Sequence, residues 1–243
     1  MRLFKQQKKA ALTNSKISKY LIYAIGEILI VIIGIFIAIQ LNNWNENRKT
    51  KNKVAAIFSE ITSNLKANKR RVKPLITWYE ERDSLIKLVK TQKLTREDYL
   101  QNEDLLTLIN FYREIQLEKS GYLKLKDYMN DVPKAYDSIM PGLHVLYNQI
   151  VPMAERYALV MENYNHRMHE RWATNYSWFS EPRDISNKEA RIAHFLNNPE
   201  YVNDVRLYSM YSKDNYSSVV VLILCNCSSS FSENLSTYFK PIT

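Results

Sequence analysis

The most regular pattern in the chain is an almost unbroken apolar run from Leu21 to Leu41, in which Glu27 is the only charged side chain. About 20 apolar residues in a helix cross the roughly 30 Å of hydrocarbon in a bilayer. A cleaved secretory signal is the alternative interpretation, because the preceding residues are basic. The run is longer than such signals, no small-residue cleavage motif follows it, and the aromatic Trp44 lies just beyond its end. The pattern therefore predicts an uncleaved signal anchor, a transmembrane helix over residues 21–41.

Beyond the apolar run, hydrophobic residues recur at helical spacing. The first such group is Val54, Ile57, Phe58, Ile61 and Leu65. This spacing predicts that the membrane helix continues into a helical stalk. Pro74 suits the first turn of a new helix, so we expect the stalk to end there.

The remainder of the chain also predicts helices. Thr95 and Asn102 have side chains suited to helix N-caps, and Asn198 precedes a proline that begins another helix. Three further prolines begin or bend helices: Pro133, Pro141 and Pro152. The apolar run 219–225 is compatible with a buried strand or with a core-facing helix, and we favour the helix. Tyrosine and tryptophan at helical spacing predict an aromatic core whose hydroxyl groups reach the surface.

These patterns predict an all-α protein in which an N-terminal transmembrane helix continues into a stalk and is followed by an irregular helical bundle domain. The expected divisions are a basic cytoplasmic tail over 1–20, the transmembrane helix over 21–41, a basic juxtamembrane helical stalk over 42–73 and an extracytoplasmic helical domain over 74–243.

The charge is unevenly distributed. The 243 residues carry a net charge of +9, but residues 74–243 alone carry −3, so the positive charge lies beside the apolar run. A nucleic-acid-binding protein needs a basic patch on its folded domain, so we expect no nucleic-acid partner. The lipid bilayer is the expected partner. Attraction of the basic residues to anionic head groups explains their position, and so does a signal for topology and solubility alone.

Six basic residues precede the apolar run and four follow it closely, which favours a cytoplasmic N-terminus. We therefore expect a single-pass protein of a bacterial inner membrane with its C-terminal domain in the periplasm.

The anchor also resembles that of a known family. Residues 19–20 read KY, residues 23–27 read YAIGE and residues 33–46 read IGIFIAIQLNNWNE. This combination is similar to the membrane segment of an uncharacterised family from Bacteroidota-type bacteria, and residues 119–123 and 196–201 resemble looser patterns of its members. The resemblance implies a short basic tail, one membrane helix and a helical C-terminal region. It implies no catalytic residue, since the family has no known function.

One face of the predicted membrane helix carries small residues. The stripe consists of Ala24, Glu27, Val31, Gly34 and Ala38, spaced three or four residues apart. Small residues let two membrane helices approach closely, so we expect a homo-oligomer or a partner membrane helix on this face. A carboxylate inside the apolar run is costly, so we expect Glu27 to be hydrogen-bonded across that contact, protonated, or turned toward the near interface. A proton-relay role for Glu27 is the functional alternative.

The metal-ligand candidates are few. Glu162, His166 and His169 lie on one helical face, but the repeated Glu-x-x-His of a diiron bundle and the His-Glu-x-x-His of a zinc protease are absent from the sequence. His144 and His194 are isolated, and Cys225 and Cys227 are too close in sequence for an ordinary disulfide. We therefore predict no metal site, no cofactor and no catalytic residue.

The leading hypothesis is a membrane-anchored interaction or sensory module that oligomerises through its anchor. Only four glycines are present, which argues against Gly-rich phosphate loops and doubly wound nucleotide folds. An enzyme is the less favoured class, because no catalytic motif is visible. Two alternatives remain, a periplasmic metalloenzyme that uses the His166/His169 face and a proton-coupled membrane subunit that uses Glu27.

Overall fold

A computed structural model describes residues 3–91, 93–180 and 185–228 and contains helices without a strand among those residues. The chain forms two compact units, Met1–Lys53 and Val54–Thr243. Helix α1, Leu3–Thr91, contributes to both. The all-α prediction, a long apolar N-terminal helix followed by further helices, is confirmed.

The first unit is a single helical segment whose described side chains begin at Leu21. Its apolar side chains are exposed; Ile22, for example, is 67% exposed and Ile30 is 72% exposed. Among the described residues it provides the one stretch long and apolar enough to cross a membrane, with a mean hydropathy of 2.7 and no buried residue. A core helix of a soluble protein would bury most of such a stretch.

The second unit is built on the part of α1 that begins at Val54. Val54, Phe58, Ile61 and Leu65 are completely buried, as expected from their helical spacing. Each side chain contributes roughly 1.5–3 kcal/mol to stability through its removal from water. The core of this unit therefore begins within residues 42–73, the segment predicted to be a stalk, while the four domain limits stay predictions.

The prediction that Pro74 begins a new helix is wrong. Helix α1 continues through Pro74 to Thr91. Pro74 has no N–H to donate to the carbonyl of Arg70. Both residues are exposed, so water can solvate that carbonyl, and the buried residues Val72 and Leu75 keep the helix packed on the core.

Nine shorter helices follow α1 within the described residues. They are α2 (Arg96–Gln101), α3 (Glu103–Leu106), α4 (Ser120–Leu125), α5 (Met140–Val145), α6 (Val151–Asn175), α7 (Ser177–Ser180), α8 (Ile185–Asn197), α9 (Pro199–Ser209) and α10 (Ser218–Ser228). Thr95, Asn102 and Asn198 cap α2, α3 and α9 through their side chains, as predicted. Helix α10 confirms the helical interpretation of residues 219–225.

Two π-helical turns join successive helices of the second unit. Residues Leu146–Ile150 connect α5 to α6, and Met210–Ser217 connect α9 to α10. Pro152 lies in the first turn of α6 and cannot donate a hydrogen bond to Asn148. The wider turn before it removes the need for that bond and gives the proline ring room.

At Gly121, helix α4 lies close against α1. A Cβ atom at Gly121 would lie 2.7 Å from the backbone nitrogen of Ile61 and 2.8 Å from its Cγ1. The Gly121 N–H also donates a hydrogen bond of 2.9 Å to Oδ1 of Asn64. Any larger residue must push α4 away from α1 and weaken this bond.

Substitution of Gly121 by alanine therefore lowers the stability of the second unit by about 1–3 kcal/mol through overpacking. Thermal unfolding of the full-length protein in detergent, followed by circular dichroism, measures the effect. Gly26→Ala is the matched control, because no atom lies within 4 Å of the position that its Cβ would take. Equal melting temperatures for the Gly121→Ala and Gly26→Ala variants would contradict the close contact.

Candidate functional site

The small-residue stripe of the apolar segment lies on one face of α1. At 100° per residue its five members fall within an arc of about 80°. All five are exposed in the structure: Ala24, Glu27, Val31, Gly34 and Ala38. No atom lies within 4 Å of the position that a Cβ on Gly34 would take, so the backbone there is open to a second helix. The use of this face for association stays a prediction.

The three metal-ligand candidates do not converge. His166 Nε2 lies 3.9 Å from Glu162 Oε1 on the exposed side of α6. His169 Nε2 instead lies 2.8 Å from the carbonyl oxygen of Asn110. Because a carbonyl oxygen only accepts hydrogen bonds, this nitrogen carries a proton and does not bind a metal. In the part of the chain that the structure describes, no three His, Cys, Asp or Glu side chains are placed to share a metal ion.

The most unusual feature of the second unit is a non-helical segment between α3 and α4, Phe111–Lys119, which we call the strap. It runs antiparallel to α1: later residues of the strap and its flanks contact earlier residues of α1. The contact pairs are Arg82 with Thr107, Tyr79 with Arg113, Arg71 with Gln116, Asn68 with Glu118, Asn64 with Gly121 and Glu60 with Lys124.

The spacing of these pairs fits an extended backbone. From Tyr79 to Asn68 the helix advances eleven residues, and from Arg113 to Glu118 the strap advances five. Eleven helical residues rise about 16 Å and five extended residues also span about 16 Å. The strap is therefore stretched along α1. Helix α3, which Asn102 caps, ends at Leu106, and residues 107–110 form a turn before the strap.

Asn68 holds the strap most completely. Its Nδ2 donates to the carbonyl oxygen of Glu118 at 2.9 Å, and its Oδ1 accepts from the N–H of the same residue at 2.8 Å. Asn68 is only 2% exposed, so these bonds lie away from water. Arg71 adds a hydrogen bond of 3.0 Å to the carbonyl oxygen of Gln116 and an ion pair of 2.9 Å with Glu118. The exposed ion pair contributes little to stability compared with the buried amide.

Three buried tyrosine hydroxyls bind other backbone groups of the strap. Tyr79 donates to the carbonyl oxygen of Arg113 at 2.8 Å, Tyr208 donates to that of Phe111 at 2.8 Å, and Tyr216 accepts from the N–H of Ile115 at 3.0 Å. Burial raises the pKa of Tyr208 and of Tyr216 to about 12, and it also raises the pKa of Tyr79. The hydroxyls therefore stay protonated at neutral pH, and these contacts do not change with physiological pH.

Several backbone groups of the strap have no hydrogen-bond partner within the described chain. Between Glu114 and Leu117 they are the N–H groups of Glu114, Gln116 and Leu117 and the carbonyl oxygens of Glu114, Ile115 and Leu117. Two grooves flank them. The α1 groove, about 720 Å³, lies between the strap and the Arg71–Leu75 turn of α1, and the α6 groove, about 410 Å³, lies between the strap and α6. An extended segment with open backbone groups is a template for pairing with another strand.

Sequence reasoning did not identify the strap. It expected tyrosine hydroxyls to reach the surface, whereas Tyr79, Tyr208 and Tyr216 direct theirs to a backbone inside the unit. A signal was present, because Asn64 and Asn68 lie on the same face of α1 as the buried residues Ile61 and Leu65. Two asparagines on an apolar face predict a backbone partner, since buried amides are hydrogen-bonded.

Comparison with known proteins supports the family resemblance in part. Residues 27–122 match a family of unknown function, DUF6090. The match covers less than half of the 243 residues and contains the whole strap with the α1 residues that bind it. No curated protein and no solved structure matches the chain significantly. A likeness to a family without known function is thus confirmed, while the Bacteroidota-type source and the anchor motif stay predictions.

Replacement of Asn68 by alanine leaves both backbone groups of Glu118 without a partner and costs about 1–3 kcal/mol. Urea unfolding of the full-length protein in detergent measures the loss. Asn203→Ala is the matched control, because Asn203 is exposed and, among the described residues, its side chain bonds only Arg206 of its own helix. A free energy of unfolding equal to that of the control would show that the Asn68 amide does not hold the strap.

Proposed function

We propose that this chain is a single-pass membrane protein that acts as a membrane-anchored interaction or sensory module. The observation that carries the proposal is the apolar part of α1, which has a mean hydropathy of 2.7 and no buried residue in its most apolar stretch. Burial in lipid removes these side chains from water, at about 25 cal/mol per Å². The segment 21–41 is then the anchor and the helices of the second unit form the working domain.

The charge distribution supports one topology. The basic residues that precede the anchor outnumber those that follow it closely, six to four, so the N-terminus lies in the cytoplasm. The second unit then lies in the periplasm, and the membrane is the inner membrane of a bacterium. Residues Lys66–Lys73 add basic groups on the far side, but domains of this size translocate largely regardless of charge.

A role in contacts rather than in chemistry is supported by what the surfaces present. Nε2 of His169 donates to the carbonyl oxygen of Asn110 instead of binding beside Glu162 and His166. The strap, in contrast, presents open backbone groups between two grooves. On the anchor, Gly34 leaves the backbone open on the stripe that runs from Ala24 to Ala38. Two copies pack along this stripe, and the small residues allow the close approach that stabilises helix pairs in lipid.

Gly34→Ile tests the association directly. The added side chain separates two helices that pack along the stripe, so self-association in a bacterial membrane two-hybrid assay falls. A loss of about 1–2 kcal/mol of packing corresponds to a roughly 5- to 30-fold weaker association.

Gly26→Ile is the matched control, because Gly26 lies on α1 outside the arc of the stripe. It introduces the same side chain at the same depth range and leaves association unchanged. Equal signals from wild type, Gly34→Ile and Gly26→Ile would refute an oligomer built on this face.

A further inference from the structure

The α6 groove has an apolar floor and an open backbone edge. Its apolar lining comes from the strap and from one face of α6: Ile115, Leu117, Ala154, Ala158 and Leu159. Leu159 is 54% exposed, an apolar side chain facing solvent beside a groove of about 410 Å³. Such a groove has room for one or two medium-sized apolar side chains.

The strap contributes open backbone groups beside this groove. Gln116 and Glu118 bond to α1, and Ile115 bonds to Tyr216, which lines the α6 groove. Ile115 and Leu117 both line the α6 groove, and the Ile115 carbonyl and both backbone groups of Leu117 have no partner in the described chain. An N–H and a carbonyl of one residue form the repeating pair of an antiparallel ladder.

The rim of the groove is acidic. Among the described residues, Glu114, Glu155 and Glu162 line it together with one cation, Lys119, whose Nζ lies 2.5 Å from Glu155 Oε1. Glu162 Oε1 lies 3.9 Å from Nε2 of the exposed His166, and the Glu114 and Glu162 side chains are both accessible to solvent or to a ligand. Burial raises the pKa of Tyr112, and the charges of Glu162 and Glu114 raise it further. Both carboxylates add negative charge beside the groove.

The geometry points to the α6 groove as a docking site for an extended, basic peptide segment of a partner protein. The segment adds as a strand to the strap, pairs with Leu117, inserts an apolar side chain between the strap and α6, and places a lysine or arginine beside Glu114 and Glu162. This mode of recognition obtains affinity from main-chain bonds and specificity from side-chain pockets. The inference rests on the proposed role as an interaction module and specifies the partner of its periplasmic unit.

A defined peptide tests the site. The probe is fluorescein-labelled lysine-threonine-valine-leucine-valine-threonine-lysine, added to the full-length protein in detergent micelles and followed by fluorescence polarisation. Saturable binding with a Kd on the order of 10–100 µM is expected. The same peptide with glutamate in place of both lysines, or with N-methylated valines, binds at least about tenfold more weakly, because it loses charge complementarity or main-chain bonds.

Variants of the protein give the reciprocal test. Glu114→Lys together with Glu162→Lys reverses the preference, so that the glutamate peptide binds more tightly than the lysine peptide. Glu80→Lys together with Glu81→Lys is the matched control, because these exposed acids line neither groove, and it leaves the preference unchanged. In the wild type, bound peptide also slows hydrogen exchange at the Leu117 amide.

Several results would overturn the inference. One is that the lysine peptide shows no saturable binding up to about 1 mM. Another is that the Glu114→Lys and Glu162→Lys reversal does not change peptide binding. A third is that the peptide binds only after removal of residues 229–243, which would identify the chain's own tail as the occupant. Binding that weakens as the protein concentration rises would identify a second copy as the occupant and would overturn it equally. If the peptide does not bind but Gly34→Ile still weakens self-association, the docking site alone is refuted. If the peptide binds but Gly34→Ile leaves self-association unchanged, the oligomeric anchor alone is refuted.

Discussion

The second unit depends on the need to satisfy the backbone of an extended segment in a protein built from helices. A strand normally finds its hydrogen-bond partners in a neighbouring strand, and no strand lies beside the strap in the described residues. Side chains supply the bonds instead. Asn68 reproduces the donor and acceptor pair of a strand residue, and tyrosine hydroxyls bind single backbone groups. Because these side chains have fixed positions on rigid helices, they fix the register of the strap.

The strap contacts residues both inside and outside the part of the chain that matches a known family. Residues 27–122 include α1 from Glu27 onward, the strap and the close contact at Gly121. Beyond the match, His169 binds the carbonyl just before the strap, and Tyr208 and Tyr216 bind the strap itself. The later helices therefore close over a strap that α1 already holds in register. The α6 groove lies at this junction, so its apolar floor combines residues from both parts of the chain.

The sequence predicted the features that arise from local patterns. The apolar run, the helical spacing from Val54 to Leu65 and the caps at Thr95, Asn102 and Asn198 depend on neighbouring residues, and the structure agrees with each. The prediction that a helix begins at Pro74 failed, because packing on both sides of Pro74 keeps α1 intact where the lost hydrogen bond faces water. The site was not predictable in the same way. The hydroxyl of Tyr216 and the amide of Ile115 are 101 residues apart in sequence, and no local pattern indicates their pairing.

Amide hydrogen exchange of the strap, resolved residue by residue in the full-length protein in detergent, tests the central claim most directly. Side-chain hydrogen bonds protect the amides of Arg113, Ile115 and Glu118, while those of Glu114, Gln116 and Leu117 have no partner in the described chain and exchange quickly. This irregular order of protection is specific to a strap held by side chains. Uniformly fast exchange, as in a mobile loop, or the continuous protection of a helix would contradict the account.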